Sequence, residues 1–414
     1  MTRMKESGIG WIGQIPEEWE VAKVNHIFEE HKQKNRGNKE KNLLSLSYGR
    51  IIRKSIDSSF GLLPESFDTY NIIQRGDIVL RLTDLQNDKR SLRVGLAREN
   101  GIITSAYLTL RLKNLESNDS YMYYLLHTYD ICKVFYNFGG GVRQGGTWSD
   151  IYKMELLIPP CNEQQKIADY LDKKIAQLDR AKRLLEKQIQ KLKDYRASLI
   201  YETVTKGLDK TVPMKDSGID WIGQMPEGWE ISKIRYLVTT RSEKRITDSS
   251  IPYIGLENIE SQTGKFVETG IQVDKSENIV VEIGDVLFGK LRPYLRKYWR
   301  ATFPSTASSE FLVFQSSELD MNFLYYAIQS DSFIEEVNTS TYGSKMPRAS
   351  WEYIKNMKIA FPTSLVEQQK IADFLDKKTV QIDQLIQIKN KQIDNINKQR
   401  QTLIYDYVTG KRRV

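Results

Sequence analysis

The side chains of this sequence that could do chemistry are basic and amide groups in two short loops. One loop, GGGVRQGGTW, carries Arg143 and Gln144, and the other, TYGSKMPRASW, carries Lys345 and Arg348. Arg and Gln are the side chains that form paired hydrogen bonds with the edges of purine bases. The loops therefore favour contacts with nucleic-acid bases, although an ordinary surface loop would have a similar composition.

Further basic residues cluster after each of two matched strands that begin with Gly-Asp, one at 76–80 and one at 284–288. The first cluster is Arg81, Lys89, Arg90 and Arg93, and the second is Lys290, Arg292, Arg296, Lys297 and Arg300, interleaved with Tyr294, Tyr298 and Trp299. Cations mixed with aromatic rings suit phosphate contacts with some base stacking. A charge run is usually a solvated face, but this one recurs at equivalent places in two otherwise different stretches. Both clusters are therefore candidate nucleic-acid contacts.

The sequence contains no recognisable catalytic motif. The three histidines (His26, His31 and His127) have no ligand-like spacing, and neither have Cys132 and Cys161. The sequence contains no Ser-His-Asp, H-E-x-x-H or Walker A pattern, no Gly-rich nucleotide fingerprint and no Asn/Asp-Pro-Pro-Tyr string. We therefore expect a non-enzyme with no metal or cofactor of its own.

The candidate residues belong to two copies of one architecture. EQQKIADYLDKK from Glu163 and EQQKIADFLDKK from Glu367 agree at eleven of twelve positions, 204 residues apart. A second block, MKESGIGWIGQIPEEWE from Met4, returns as MKDSGIDWIGQMPEGWE from Met214. Its Trp, Gly and Pro residues predict an irregular clamp at the start of each half. Such repeats indicate one structural unit built twice.

Each EQQKIAD block leads into a long helix. Apolar residues follow at steps of seven: Leu171, Leu178, Leu185, Leu192 and Leu199 in the first copy, and Leu375, Ile382, Ile396 and Leu403 in the second. This heptad pattern, free of Gly and Pro over about 37 residues, predicts two coiled-coil helices roughly 55 Å long. Lys389 interrupts the second heptad series, where we expect a weak or hydrated layer, or an ammonium group that reaches outward. Solvated helices of a larger bundle are the alternative.

Between clamp and helix, each half has the pattern of a mixed domain. Strands are predicted at 78–82, 92–97, 102–112, 286–291 and 310–314, and amphipathic helices with core tyrosines at 122–136 and 323–337. The predicted fold class is α+β, with two tandem globular domains and a pseudo-twofold internal repeat. The predicted segments are a first domain at 1–160, a long helix at 161–207, a second domain at 208–362 and a second long helix at 363–414.

Composition limits the class of protein. The 414 residues are 40% hydrophobic and 28% charged, which suits a globular protein of two to four domains. No apolar run approaches the ~18 residues of a membrane span, and no secretory signal is visible, so we expect a cytoplasmic protein. Sixty-one Lys and Arg against 53 Asp and Glu give a net charge of +8, which favours a polyanionic partner.

The arrangement resembles the specificity subunit of type I restriction-modification systems over the whole chain. The resemblance rests on Ile15-Pro16 with Trp19, the Gly76-Asp77 strand, the Pro-Pro-x-x-Glu-Gln signature, the long helix, and the tandem repeat of all of these. One departure is Phe361-Pro362-Thr363-Ser364, which matches only half of the Pro159-Pro160 lead into the first helix. The resemblance implies two target recognition domains separated by two long helices that pair as an antiparallel coiled coil.

The resemblance also implies a function and partners. Each domain would recognise one half of a bipartite double-stranded DNA site, and the subunit would scaffold two methyltransferase subunits and restriction subunits. S-adenosylmethionine, ATP and Mg would belong to those partners, with no cofactor here. The DNA-binding residues expected on this basis are Arg81, Lys89, Arg90, Arg143, Gln144, Lys290, Arg292, Arg296, Lys345 and Arg348. The alternatives are a coiled-coil adaptor for protein partners and a nuclease with a carboxylate-bound metal.

The heptads generate a prediction about spacing between half-sites. Inserting seven residues after Leu185 adds about 10 Å and keeps the apolar positions in phase on that helix. About three base pairs cover that distance, but they rotate the far half-site by roughly 100°. We expect binding to the native site to weaken by several kcal/mol while each half-site preference stays unchanged. Competition with spacers varied by single base pairs tests this, and undiminished affinity for the native spacer would show that the helices do not set the distance.

Overall fold

The structure is a computed structural model that describes residues 3–55, 66–85, 92–114, 117–138, 145–247, 251–270, 276–343 and 345–414. The chain divides into two compact units. Unit 1 comprises Met1–Leu185 with Lys391–Val414, and unit 2 comprises Glu186–Asn390. Each long helix therefore contributes residues to both units, whereas the predicted segments treat each helix as a separate part. We call the residues of a unit outside the two long helices its globular part.

Unit 1 is built on antiparallel strands and one buried helix. Its described strands are β1 (Met4–Glu6), β2 (Gln14–Pro16), β3 (Glu20–Lys23), β4 (Phe28–Glu30), β5 (Leu44–Ser47), β6 (Arg50–Arg53), β7 (Asn71–Ile73), β8 (Ile78–Leu80), β9 (Val94–Leu96), β10 (Gly101–Ile103), β11 (Leu108–Leu112) and β12 (Glu155–Ile158). Its helices are α1 (Val24–Ile27), α2 (Asp119–Ile131), α3 (Trp148–Ile151), the first part of α4 (Cys161–Lys206) and the last part of the second long helix, α9 (Leu365–Val408). The four-stranded sheet β4-β11-β8-β9 shares an apolar core with α2.

Unit 2 repeats this plan, and its second sheet is more extensive than that of unit 1. Its described strands are β13 (Met214–Asp216), β14 (Gln224–Pro226), β15 (Trp229–Lys233), β16 (Thr239–Thr240), β17 (Lys244–Ile246), β18 (Tyr253–Ile254), β19 (Glu277–Val281), β20 (Val286–Gly289), β21 (Tyr298–Arg300), β22 (Ser305–Ala307), β23 (Phe311–Gln315) and β24 (Lys358–Pro362). Its helices are α5 (Ile234–Leu237), α6 (Met321–Ala327), α7 (Asp331–Thr339), α8 (Trp351–Ile354) and the first part of α9 (Leu365–Val408).

Strand pairing confirms the internal repeat. The sheet β16-β23-β20-β21 has the same order as β4-β11-β8-β9, and the pairs β13-β14 and β15-β24 correspond to β1-β2 and β3-β12. The second sheet of unit 2, β17-β19-β22-β18, contains a parallel pair, β18 with β22. Its counterpart in unit 1 is the antiparallel pair β7-β10, which is flanked by an antiparallel bridge of Lys34 with Asn71 and a parallel bridge of Leu43 with Ile102. Each predicted clamp therefore contains a short antiparallel hairpin, and Trp19 behind the first one is fully buried. The repeat therefore extends to both sheets of each unit.

Three predicted elements are wrong in extent. The helix predicted at 122–136 is α2, which ends at Ile131, and a separate 3-10 turn, Val134–Asn137, follows after Lys133, whose backbone is left-handed with a φ of 62°. The single strand predicted at 102–112 is two strands, β10 and β11, because a turn closed by the Tyr107 N–H on the Thr104 carbonyl at 3.2 Å separates them. The single helix predicted at 323–337 is α6 followed by α7. Ser330 interrupts it, with an extended ψ of 140° and a hydroxyl that accepts from the Phe333 N–H. A serine that caps a helix in this way competes with continuation of the helix before it.

The two long helices run antiparallel in each unit. In unit 1, Tyr170 of α4 packs on Tyr407 of α9 with ring centroids 4.6 Å apart, and farther along α4 Asp179 accepts from Arg400. Residue numbers therefore rise along α4 while they fall along α9, and in unit 2 Gln188 and Arg196 contact Lys389 and Asp383 in the same sense. Of the predicted heptad residues, Leu171, Leu375 and Ile382 are buried and the others are half-buried. The Lys389 ammonium group donates to Gln188 Oε1 at 2.7 Å, which gives this layer a polar bridge.

The repeated EQQ block attaches each long helix to its globular part. Indole N–H groups donate to the block's glutamates, Trp19 to Glu163 at 3.1 Å and Trp229 to Glu367 at 3.0 Å. The next glutamine of each block, Gln164 or Gln368, accepts a backbone N–H at the start of a helix, from Asn118 at 3.0 Å and from Asp320 at 2.8 Å. Identical contacts therefore explain why the blocks are nearly identical in sequence.

An aspartate inside each twelve-residue block, Asp172 in the first and Asp376 in the second, holds a buried tyrosine. Tyr124 donates to Asp172 at 2.7 Å, and Tyr326 donates to Asp376 at 2.5 Å. Burial first, and then the hydrogen bond to the carboxylate, raise the pKa of both tyrosines well above the usual range. The tyrosines are core residues, as predicted, and each also attaches its globular part to the helix.

A second aspartate in each long helix joins three elements. Asp179 of α4 accepts from Arg400 of α9 at 3.5 Å and from Arg50 of β6 at 2.5 Å. Its counterpart 204 residues later, Asp383, lies 3.8 Å from Arg196 Nε and 2.8 Å from Lys265 Nζ. In each unit, one carboxylate therefore links both helices to the globular part.

The repeat predicts that residues 1–207 alone form a symmetric dimer. Ile404 and Val408 of α9 complete the core of unit 1, and Ile200 and Val204 occupy the equivalent positions of α4 in unit 2. A second copy of 1–207 can therefore offer its own Ile200 and Val204 to the first. We expect a dimer in sedimentation equilibrium, and the control variant Val204→Asp should remain a monomer. A wild-type fragment that is monomeric and well folded would contradict this prediction.

Candidate nucleic-acid interface

Two predicted groups of basic residues meet on one surface of unit 2. The loop after β20 and the loop before α8 lie side by side, because Leu291 forms a backbone bridge with Arg348 and the Arg292 N–H donates to the Pro347 carbonyl at 2.7 Å. The structure thereby brings together Lys290, Arg292, Lys345 and Arg348 of the predicted set. We call these four residues and the loops that carry them the basic surface.

The loop after β20 has an unusual backbone. Arg292 and Arg296 both adopt left-handed conformations, with φ of 50° and 53°, on either side of the short 3-10 turn Pro293–Leu295. Left-handed backbone is costly for residues with a Cβ, and it concentrates where function needs a fixed loop shape. Arg292 also donates from Nη2 to the Lys345 carbonyl at 3.1 Å, while its Nε is buried without a hydrogen-bond partner among the described residues.

Arg348 is held by a carboxylate. Its Nε lies 3.1 Å from Glu310 Oε2, and its Nη2 lies 2.9 Å from Glu310 Oε1, so the pair is bidentate. The hydrogen bonds to Glu310, followed by its negative charge, raise the pKa of Arg348 above its usual value. The guanidinium group is therefore oriented rather than freely solvated.

Aromatic side chains on this side of unit 2 are partly exposed. Tyr294 in the turn is 52% exposed, and Tyr342 beside Arg348 is 63% exposed. Tyr298 and Trp299, which the sequence also suggested for stacking, are instead buried at 2% and 3% exposure because they belong to β21. That part of the prediction is wrong, and the rings available beside the cations are those of Tyr294 and Tyr342.

The remaining cations of the second cluster point elsewhere. Arg296 forms an ion pair with Asp331 and lines a cavity of ≈510 Å³ beside α4 and α9. Lys297 donates to the Ile259 carbonyl, and Arg300 binds Asp376 at 3.1 Å. Arg296 thus belongs to the predicted set in sequence but does not join the basic surface.

In unit 1, much of the predicted interface lies outside the described residues: Lys89, Arg90, Arg143 and Gln144. Arg81 is described, and it is half-buried at the end of β8. The two loops that carry the predicted residues are nevertheless joined as in unit 2. Gly146 donates its N–H to the Leu82 carbonyl at 2.7 Å, and at the matching place Ala349 donates to Lys290 at 2.9 Å.

Arg93, which the sequence placed in a basic cluster of candidate nucleic-acid contacts, is buried in the structure. Its side chain is fully buried, and its Nη1 donates to the carbonyls of Arg81 at 3.1 Å and Thr83 at 2.7 Å. Arg93 therefore shapes the loop from inside and cannot meet a phosphate. Within the described ranges, no group of three or more His, Cys, Asp or Glu could hold a metal ion. No described helix is long and apolar enough to span a bilayer.

Comparison with known proteins supplies the family. Residues 16–193 and 226–398 match the family described as type I restriction modification DNA specificity domain. The chain is 25% identical over 424 residues to the type I restriction enzyme MjaVIII specificity subunit of Methanocaldococcus jannaschii, covering 97% of this chain and 94% of that one. It is 22% identical over 311 residues to the type I restriction enzyme EcoDI specificity subunit of Escherichia coli, covering 69% and 68%.

Solved structures share the fold. A chain from a study of complex assembly and conformational transition of the type I R-M system aligns with a TM-score of 0.67 at 14% identity, covering 95% of this chain and 98% of that one. The HsdS subunit from Thermoanaerobacter tengcongensis aligns with a TM-score of 0.50 at 14% identity, covering 96% and 98%.

The matched loops predict separable effects of two substitutions. Arg348→Ala should cost about 1–3 kcal/mol of binding to the preferred DNA and relax base preference in one half-site only, because one base contact is lost. Arg143→Ala should do the same in the other half-site. Binding to duplexes with single base-pair changes measures both effects, and an equal loss on specific and random DNA would make the residue a phosphate contact instead.

Proposed function

Since the chain belongs to the type I restriction-modification DNA specificity family, we propose that its two globular parts are target recognition domains that each bind one half of a bipartite double-stranded DNA site. The observation that carries this proposal is the basic surface of unit 2, where cations from two distant segments converge beside an exposed tyrosine. The same junction of loops in unit 1 supports a matching surface there. Each unit would then contribute its own base preference to one half of the bipartite site.

The long helices serve as the frame of this assembly. In our proposal two methyltransferase subunits dock on the subunit, restriction subunits join them, and all of them act in the cytoplasm. The subunit itself performs no chemistry. S-adenosylmethionine, ATP and Mg would be bound by the partner subunits. This chain would determine the DNA sequence on which those subunits act.

Salt dependence of binding tests the proposal. Cations from two recognition domains that together meet six or more phosphates should give a slope of log K against log salt of about −5 or steeper. The measurement is a titration of the full-length chain, in complex with its methyltransferase subunits, against duplex DNA at several salt concentrations. Sequencing of methylated bases in cells that express the complete system should identify a split site. A flat salt response with no methylated motif would favour a protein-binding adaptor.

A further inference from the structure

The ion pair between Glu310 and Arg348 leaves one edge of the guanidinium group available. Glu310 occupies the side edge formed by Nε and Nη2, at 3.1 Å and 2.9 Å. The end edge, formed by Nη1 and the second proton of Nη2, has no hydrogen-bond partner among the described residues. Arg348 therefore retains two parallel N–H donors in a fixed plane.

Both ends of the pair are fixed by the backbone. Arg348 exchanges two backbone hydrogen bonds with Tyr342, at 3.1 and 3.3 Å, and bridges Leu291 on its other side. Glu310 accepts the Lys290 N–H on its carbonyl at 2.9 Å, and its own N–H donates to Ser308 Oγ at 3.2 Å. The side chains of Arg348 and Glu310 remain 36% and 25% exposed, so the pair lies at the surface on a rigid base.

The chemistry of this pair distinguishes between DNA ligands. Two parallel donors match the O6 and N7 acceptors of guanine, whereas adenine offers N7 beside an amino donor. A phosphate would meet the Glu310 carboxylate at close range, and like charges repel. A cation already neutralised by a carboxylate therefore suits an uncharged base edge better than the DNA backbone.

We infer that Glu310 is a positioning residue that makes Arg348 the reader of a guanine in the half-site bound by unit 2. This inference rests on the proposed function and narrows it to one base. Glu310 acts through Arg348 and makes no base contact itself. In this arrangement Lys290, Arg292 and Lys345, on the same surface, supply the positive charge that holds the neighbouring phosphates.

The test measures base preference at one position separately from overall affinity for DNA. Glu310→Gln should lower the preference for guanine over adenine at one position of the half-site by about tenfold, because the guanidinium is no longer held in one plane. Affinity for random-sequence duplex should stay equal or rise, because one negative charge beside the DNA is removed. The measurement is competition binding by the full-length chain with its methyltransferase subunits. The probes are duplexes that carry the recognition site identified by sequencing of methylated bases, with each base pair replaced in turn. One further duplex carries 7-deazaguanine, which lacks N7, in place of the guanine.

A matched control is available in the same unit. Glu282 also accepts from an arginine, Arg241 Nη2 at 2.8 Å, and its side chain is 63% exposed. Glu282→Gln removes the same charge and one carboxylate–guanidinium contact, and it should leave every base preference unchanged because Arg241 stays held by Asp285. Arg348→Lys should lose the guanine preference, and adding Glu310→Gln to it should cause no further loss.

The outcomes are distinct. A loss confined to one guanine, with thermal stability retained, supports the inference, as does a weaker effect of 7-deazaguanine on the Glu310→Gln protein than on the wild type. A Glu310→Gln protein with the full wild-type preference overturns the inference alone. So does an equal loss at all positions, since that is the effect of a destabilised domain. A wild-type complex without any half-site preference overturns the proposed function as well.

Discussion

The structure depends on half-buried carboxylates of the long helices that tie globular parts to helices. Asp172 and Asp376 each accept a hydrogen bond from a buried tyrosine and one from an arginine, Arg98 or Arg300. The two tyrosines, Tyr124 and Tyr326, are buried, and a buried hydroxyl without a hydrogen-bond partner costs about 1–3 kcal/mol. Each tyrosine and the helix that carries its carboxylate must therefore come together as a set. This requirement fixes which face of the long helix meets the globular part. It also explains why near-identity between the halves is concentrated in the EQQ blocks.

The frame was predictable from the sequence because its determinants are local and repeated. Heptads, the EQQ blocks and the Trp-containing clamps each occur within a short stretch, and each occurs twice, so chance is a poor explanation. The break between α6 and α7 was not predictable from apolar periodicity, since Ser330 acts through its backbone and hydroxyl group. The prediction of a single strand through Tyr107 was wrong for a similar reason. A polar turn within an apolar run does not change the pattern enough to be seen.

The candidate interface was predictable in its residue types and only partly in its geometry. Composition identified Arg292 and Arg348, but their adjacency depends on a backbone bridge between segments more than fifty residues apart. Glu310 had no signal, because a carboxylate 38 residues from its arginine looks like any other in a chain with 53 of them. Arg93 is the opposite case: it lies in a basic run of the sequence, yet its buried side chain donates hydrogen bonds to backbone carbonyls of its own loop. The sign of a charge is visible in sequence, and its orientation is set by the fold.

The composition of the unit 1 core has a consequence for how the protein is made. Ile404, Tyr407 and Val408 pack with residues from the first half of the chain, and Arg413 binds Glu163 through Nε at 2.6 Å. These partners follow all of unit 2 in the chain, so a ribosome has finished unit 2 before it releases the segment that closes unit 1. During synthesis the apolar side of the first part of α4 therefore lacks its cover from α9 until the last residues of the chain have emerged.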